Sequence, residues 1–444
     1  MSTGTSSQLE KDHSSVSASS SGFSSAKTAA EIYIETREAT VALCAPLETE
    51  DFGVQPMPDA SPPKWHLAHT TWFFETFLLK SFSKGYKAFH PDFAHLFNSY
   101  YNGIGKPFPR AERGNLSRPT VKQVMAYRQR VDAAICVLLE TAEKDHQWAE
   151  IGQRLELGVH HEQQHQELLL TDIKYNFGHN PLFPSLNQEI QPTENAVGIE
   201  PLEPNPLEFD VFEPGLVEIG ATSDFCFDNE LPRHRVYVAP FSLANRLVTN
   251  GEFLAFIRDG GYSRPDLWLS EAWSARQNQA LHHPLYWRSC NDEWFEYQLN
   301  DGLTKLQLDA PAVHINGYEA AAFAAWSGAR LPTEFEWEVA AKGQPISGNF
   351  VESGKYHPVA STRANKQMFG DVWEWTSSSY GAYPGYRPLP GVLGEYNGKF
   401  MSSQWVLRGG SCATPRSHIR PSYRNFFYPK DAWQFSGIRL AQDL

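Results

Sequence analysis

The run His160-His161-Glu162-Gln163-Gln164-His165-Gln166-Glu167 holds the residues of this chain best suited to chemistry. His161 and His165 are four apart. On a helix such a pair lies on one face, about one turn apart, and can grip one metal ion. His160 points about 100° away from His161 on the same helix, so it ranks below it as a ligand. A second histidine pair stands far upstream in Trp65-His66-Leu67-Ala68-His69, where either histidine offers a third nitrogen. Neutral imidazoles suit iron, copper, zinc and nickel alike, so residue type leaves the metal open. Glu162 and Glu167 read as solvated carboxylates, or as groups that orient a histidine N–H, rather than as ligands.

Histidines on two separate helices meet in the core of a helical bundle. Residues 26–180 carry that patterning. The first helical segment spans residues 26–47. The second, 63–82, sets Trp65, Ala68, His69, Trp72, Phe73 and Thr76 at helical spacing. The third opens at Pro119-Thr120, with Gln123 three residues after Thr120 in a capping-box pattern. Its apolar stripe is Val121, Val124, Met125, Val131, Ile135, Leu138 and Leu139. The fourth, 148–177, contains the histidine run. Four such segments predict an up-and-down four-helix bundle. The intervening stretch 83–118 is rich in Gly, Pro and aromatics, and a loop that long in a bundle points to function. Residues 181–206, with Pro181, Pro184, Pro192, Pro201, Pro204 and Pro206, read as an extended linker. From 207 to 444 the segments are short and turn-rich, with helical patches at 250–259, 317–327 and 333–342, which predicts an irregular α+β domain. Residues 1–25 are Ser- and Thr-rich and read as a disordered tail.

The net charge of −13 argues against nucleic acid as a partner and leaves cationic or zwitterionic small molecules open. Cys44, Cys136, Cys226, Cys290 and Cys412 are odd in number and scattered, which fits a reducing, cytoplasmic setting rather than a disulfide framework. No apolar run approaches the ~20 residues of a membrane span, and the N-terminus lacks a signal-peptide core. No membrane partner is expected.

The second half carries four phrases in order: Ala329-Arg330-Leu331-Pro332-Thr333-Glu334-Phe335-Glu336-Trp337-Glu338, Gly370-Asp371-Val372-Trp373-Glu374-Trp375-Thr376, Leu407-Arg408-Gly409-Gly410-Ser411 and Ser436-Gly437-Ile438-Arg439-Leu440. Together they resemble the formylglycine-generating-enzyme (sulfatase-modifying factor) domain, a C-type-lectin-like α+β fold. The bundle resembles DinB-like metal-binding bundles. This two-domain layout resembles the ergothioneine-biosynthesis sulfoxide synthases, and the resemblance covers nearly all of residues 26–444. It implies a non-haem Fe(II) enzyme that uses O2 to join a thiol sulfur to the imidazole C2 of hercynine, the trimethylated betaine of histidine, giving a sulfoxide. Formylglycine-generating enzymes place a reactive cysteine pair after the Gly-Gly-Ser phrase. Thr414 and Ile419 stand there in this chain, with Cys412 out of register, so the sulfatase-activating reading is discounted.

By match to that family, His69, His161 and His165 are implied to be the iron ligands, His69 being preferred to His66 by its place in Leu-Ala-His. Gln164 matches a position that contacts the hercynine imidazole. Asn425 matches one near the betaine, where Phe426 and Phe427 offer aromatic faces to a trimethylammonium that cannot donate a classical hydrogen bond. Arg110 and Arg113 match arginines that hold the carboxylates of the thiol substrate, a task for which a guanidinium fork is suited. Tyr100 and Tyr101 match catalytic tyrosines of some members, with Tyr380 next in rank. A phenol can supply a proton, or a proton and an electron, to dioxygen as it is reduced.

Members of the family use γ-glutamylcysteine or free cysteine. Those using the former tend to carry an acidic residue shortly after the Arg-Asn pair, where this chain has Phe426-Phe427-Tyr428. Cysteine is therefore the expected thiol. The alternatives are a selenium-incorporating relative, an ovothiol-type synthase, which usually carries a methyltransferase domain that is not expected here, and a non-catalytic metal-binding lectin-like protein.

Overall fold

The computed structural model describes residues 27–142, 146–187, 206–222, 225–279, 281–362 and 366–444. The expected tail and most of the expected linker lie outside the described residues. Among the described residues four long helices form the N-terminal part: α1 (Ala29–Leu43), α2 (Pro63–Phe74), α3 (Val121–Ala142) and α4 (Trp148–His179). Three of these starts follow from local chemistry. Thr28 and Glu31 form a capping box on α1. Pro63 stands in the first turn of α2, where its missing N–H costs nothing. Thr120 and Gln123 exchange the reciprocal bonds expected before α3. Every residue of α2 is buried, and the helix continues through a π-helical turn, Glu75–Leu79, before ending at Phe82. Among the described residues no helix is long and apolar enough to cross a membrane.

Glu162 of α4 anchors the bundle. It accepts from Arg37 on α1 at 2.8 Å, Arg128 on α3 at 2.5 Å and Thr40 at 2.7 Å. Burial alone would raise its pKa, but the two guanidinium groups hold it down at about 2. Removing one member of such a buried ionic triad strands the others. Glu162→Gln is expected to cost about 3–5 kcal/mol, read as a lower urea midpoint of the metal-free protein.

The C-terminal part is an α+β domain of small sheets. Strands β1 (Phe209–Phe212), β2 (Gly215–Ile219), β3 (His234–Val238) and β4 (Phe241–Ala244) are followed by β5 (Trp287–Cys290), β6 (Glu293–Gln298) and β7 (Gly302–Lys305). Then come β8 (Trp373–Ser379), β9 (Trp405–Arg408), β10 (Asn425–Phe427), β11 (Ser436–Gly437) and β12 (Ala441–Asp443). They pair in the orders β1-β4-β12, β2-β3, β5-β6-β7 and β10-β9-β8-β11. Helices Asn250–Arg258, Gly317–Trp326 and Glu334–Ala341 occupy the three expected patches, and Ser270–Gln279 adds one that its weak apolar pattern did not announce.

The recurring phrases of this half are its scaffold. Glu374 of Trp-Glu-Trp accepts from Trp337 at 2.7 Å and Arg439 at 2.7 Å, so three phrases meet at one buried carboxylate. Arg408 of Arg-Gly-Gly-Ser pairs with Glu334 and Glu338. The two halves dock along α4. Its Glu167 accepts from Trp373, Ser411 and Thr414 at 2.6–2.7 Å. Gly178 lies so close to Tyr286 that an added Cβ would meet its ring at 2.7 Å.

Candidate metal centre and its cavity

Helices α2 and α4 bring His69, His161 and His165 together, with one nitrogen from each lying within 4.8 Å of the others. Phe97, in the long loop, sets the first ring. Its carbonyl accepts from His69 Nδ1 at 2.6 Å, which leaves Nε2 as a bare lone pair. That Nε2 stands 3.2 Å from His161 Nε2. Burial pulls all three imidazoles below the usual histidine range, His161 to about 3, and the neighbouring imidazoles add to the effect at His69 and His165. They are thus neutral lone-pair donors at pH 7, gathered with no carboxylate among them. That donor set fits a divalent first-row metal, Fe(II) included.

An aromatic stack sets the ring of His69. Trp65 lies parallel to it at 4.5 Å and Trp72 lies nearly parallel at 5.5 Å. The guanidinium of Arg113 caps Trp65 at 3.4 Å.

His161 and His165 open onto a cavity of about 550 Å³ between the two halves of the chain. Tyr100, Arg110, Arg113, Gln164, Asn425, Phe426 and Phe427 also line it. Tyr101 does not; it is buried behind Tyr100, with ring centroids 4.7 Å apart. Burial pushes the Tyr100 phenol up and keeps it protonated. Tyr380 is buried beneath Phe426, stacked at 4.0 Å, and its hydroxyl accepts from Asn229, so the phenol ranked next at the sequence level is not at the cavity wall.

The two arginines differ. Arg110 is exposed and already held by the side chain and carbonyl of Asp59. Arg113 is buried, donates to Ser61 Oγ at 2.8 Å and keeps its Nε without a partner. Burial, with the charge of Arg110 beside it, disfavours its cationic form, a cost that a bound anion offsets.

Several wall residues escaped the sequence reading. Tyr396 donates to Gln164 Oε1, and Gln164 Nε2 donates to Tyr423 at 2.7 Å, so the amide is fixed in one orientation. Asp431 brings a carboxyl that burial raises to about 7. It follows Asn425 by six residues, beyond the Phe426-Phe427-Tyr428 stretch. Asx and Tyr residues in irregular segments carry no periodicity, so no signal marked them. Two further corrections concern carboxylates: Glu162 and Glu167 neither ligate nor orient a histidine, being held by Arg37 and Arg128 and by Trp373, Ser411 and Thr414. His66 lies behind His165, with Nδ1 of the two rings 2.9 Å apart.

Residues 203–367 and 352–444 match the family described as sulfatase-modifying factor enzyme 1-like domain, and residues 32–169 match the DinB superfamily. The chain is 31% identical over 421 residues to the hercynine oxygenase of Mycolicibacterium smegmatis, covering 87% of this chain and 92% of that protein. It is 30% identical over 414 residues to the hercynine oxygenase of Mycobacterium tuberculosis, with the same coverage. It is also similar to ergothioneine biosynthesis protein 1 of Schizosaccharomyces pombe, 27% identical over 231 residues, covering 49% of this chain and 28% of that one.

Proposed function

The chain belongs to the hercynine oxygenase family and is an oxidoreductase of ergothioneine biosynthesis, a sulfoxide synthase; from that premise we propose that it holds Fe(II) and uses O2 to join the sulfur of cysteine to the imidazole C2 of hercynine. The observation that carries the reading is the convergence of three neutral imidazoles, two of them lining a cavity that also holds aromatic rings and a buried arginine whose Nε has no partner. The C2–H and S–H bonds break and the C–S and S–O bonds form. The two substrates lose four electrons, and O2 takes them, ending as the sulfoxide oxygen and one water.

Fe(II) held by His69, His161 and His165 supplies a template and a Lewis acid that favours the cysteine thiolate. The protein does the rest. Arg113 takes the cysteine carboxylate, and Asp431 takes its ammonium group. Gln164, locked by Tyr396 and Tyr423, orients the hercynine imidazole. Phe426 and Phe427 present faces to the trimethylammonium group, and Asn425 adds a carbonyl dipole. Tyr100 holds the proton that dioxygen needs as it is reduced.

The test is anaerobic loading with Fe(II), then hercynine, cysteine and air, with product mass as the readout. An adduct of one hercynine, one cysteine and one oxygen is expected. No O2 consumption with any thiol or selenium donor overturns the reading. The arginines favour cysteine as the thiol. Arg110 is taken by Asp59, so one free guanidinium faces one carboxylate, and the second carboxylate of γ-glutamylcysteine goes unmatched. An unmatched charge costs at least about 1.4 kcal/mol, so kcat/KM for cysteine should exceed that for γ-glutamylcysteine by roughly tenfold or more. A preference for γ-glutamylcysteine defeats the choice of thiol.

A further inference from the structure

His66 stands one turn before His69 on α2 and outside the histidine triad. Its Nδ1 is 2.9 Å from Nδ1 of His165, and its Nε2 is 3.0 Å from Oδ2 of Asp172. All three side chains are buried. Asp172 follows His165 by seven residues, two turns of α4, so the two project from one face of that helix. The same Oδ2 accepts the Ser61 amide at 2.7 Å, which holds the carboxylate in place.

The proton positions follow from what each group can do. A carboxylate only accepts, so His66 donates to Asp172 through Nε2–H. With its ring proton there, His66 presents a lone pair at Nδ1. Two facing Nδ1 atoms at 2.9 Å need one proton between them, so that proton belongs to His165. His165 Nε2 is then the bare lone pair, the only atom of that ring able to bind a cation. The other two rings of the triad have no such support. His69 rests on a neutral backbone carbonyl, and His161 Nδ1 has no hydrogen-bond partner.

We propose that Asp172 and His66 form a positioning relay, Asp172–His66–His165, which fixes His165 as the Nδ1–H tautomer with Nε2 toward the metal. The relay also places, through one imidazole, a carboxylate behind His165, which makes His165 a stronger donor. It rests on the reading of the triad as a metal site, and the two ideas fail separately.

Two measurements test it. The first uses the metal-free wild-type protein with ¹⁵N-labelled histidine. Two-bond N–H correlations, assigned with His165→Gln, should place the His165 proton on Nδ1; a proton on Nε2 overturns the relay. The second is Fe(II) affinity, read anaerobically against a competing chelator. Asp172→Asn and His66→Phe should weaken binding roughly 10–100-fold, and Asp172→Glu should recover to within about threefold of wild type. Affinity within about twofold of wild type in both Asp172→Asn and His66→Phe overturns the relay. His161→Ala serves as the control for the site. If it too keeps wild-type affinity, the metal reading of the triad is wrong, and the tautomer alone decides the relay.

Discussion

His161→Ala should abolish stoichiometric Fe(II) binding and lower sulfoxide formation by roughly 10³-fold or more, a loss of about 4 kcal/mol of transition-state stabilisation. Among the described residues, the imidazole removed is one of three donors gathered at the site, and no carboxylate belongs to that group. The loss of affinity should exceed the roughly 10–100-fold cost of altering a group that merely supports a ligand. His160→Ala is the informative comparison. His160 is the adjacent residue, yet it stacks on Phe225 at 4.0 Å and meets His418 rather than the triad. It should retain Fe(II) at one per chain. Metal analysis after gel filtration, together with an oxygen electrode, separates the two variants. An Fe(II)-loaded, active His161→Ala protein would remove this residue from the ligand set.

The same pair of histidines shows where sequence reading works and where it stops. His161 and His165 were legible because a helix has a fixed period, and four residues bring two side chains onto one face. The period also separated His160 from His161. It could not separate His66 from His69. They lie three apart on a helix that is buried all round, so both face protein, and only the tertiary path of α4 decides which meets the triad. His66 ends up behind His165 and finds Asp172 there. The carboxylates follow the same logic in reverse. Glu162 sits one residue from His161, about 100° round the helix, and Glu167 sits two from His165, about 200° round. Neither angle lets it serve a triad histidine, and each was taken by another partner. Asp172, two turns from His165, was on the correct face. Beyond the helices the period is lost. Tyr396, Tyr423 and Asp431 reach the cavity from irregular segments whose course is set by burial of the Trp-Glu-Trp and Arg-Gly-Gly phrases below them, not by spacing along the chain.

That irregular wall bears on the proton donor. Tyr100→Phe should lower kcat for sulfoxide formation roughly 10²- to 10⁴-fold, the usual contribution of a positioned acid, with KM for both substrates changed less than about threefold. The loop that carries Tyr100 is pinned independently of the phenol. Glu395 accepts from the amides of Asn102 and Gly103 at 3.0 and 2.9 Å, and Lys399 donates to the carbonyl of Tyr100. Phenylalanine therefore keeps the ring in place and removes only the hydroxyl. Tyr101→Phe should have a smaller effect, because Tyr101 is buried behind Tyr100 and does not line the cavity. Tyr396→Phe should differ in kind. Its hydroxyl fixes Gln164, so its loss should raise KM for hercynine before it slows turnover. The split between kcat and KM across these three variants distinguishes a phenol that gives a proton from one that holds a substrate contact. If Tyr100→Phe leaves kcat and the product ratio unchanged while Tyr396→Phe lowers kcat, the acid is Tyr396, whose ring meets that of Tyr100 and which sits on the segment that also holds the Tyr100 loop.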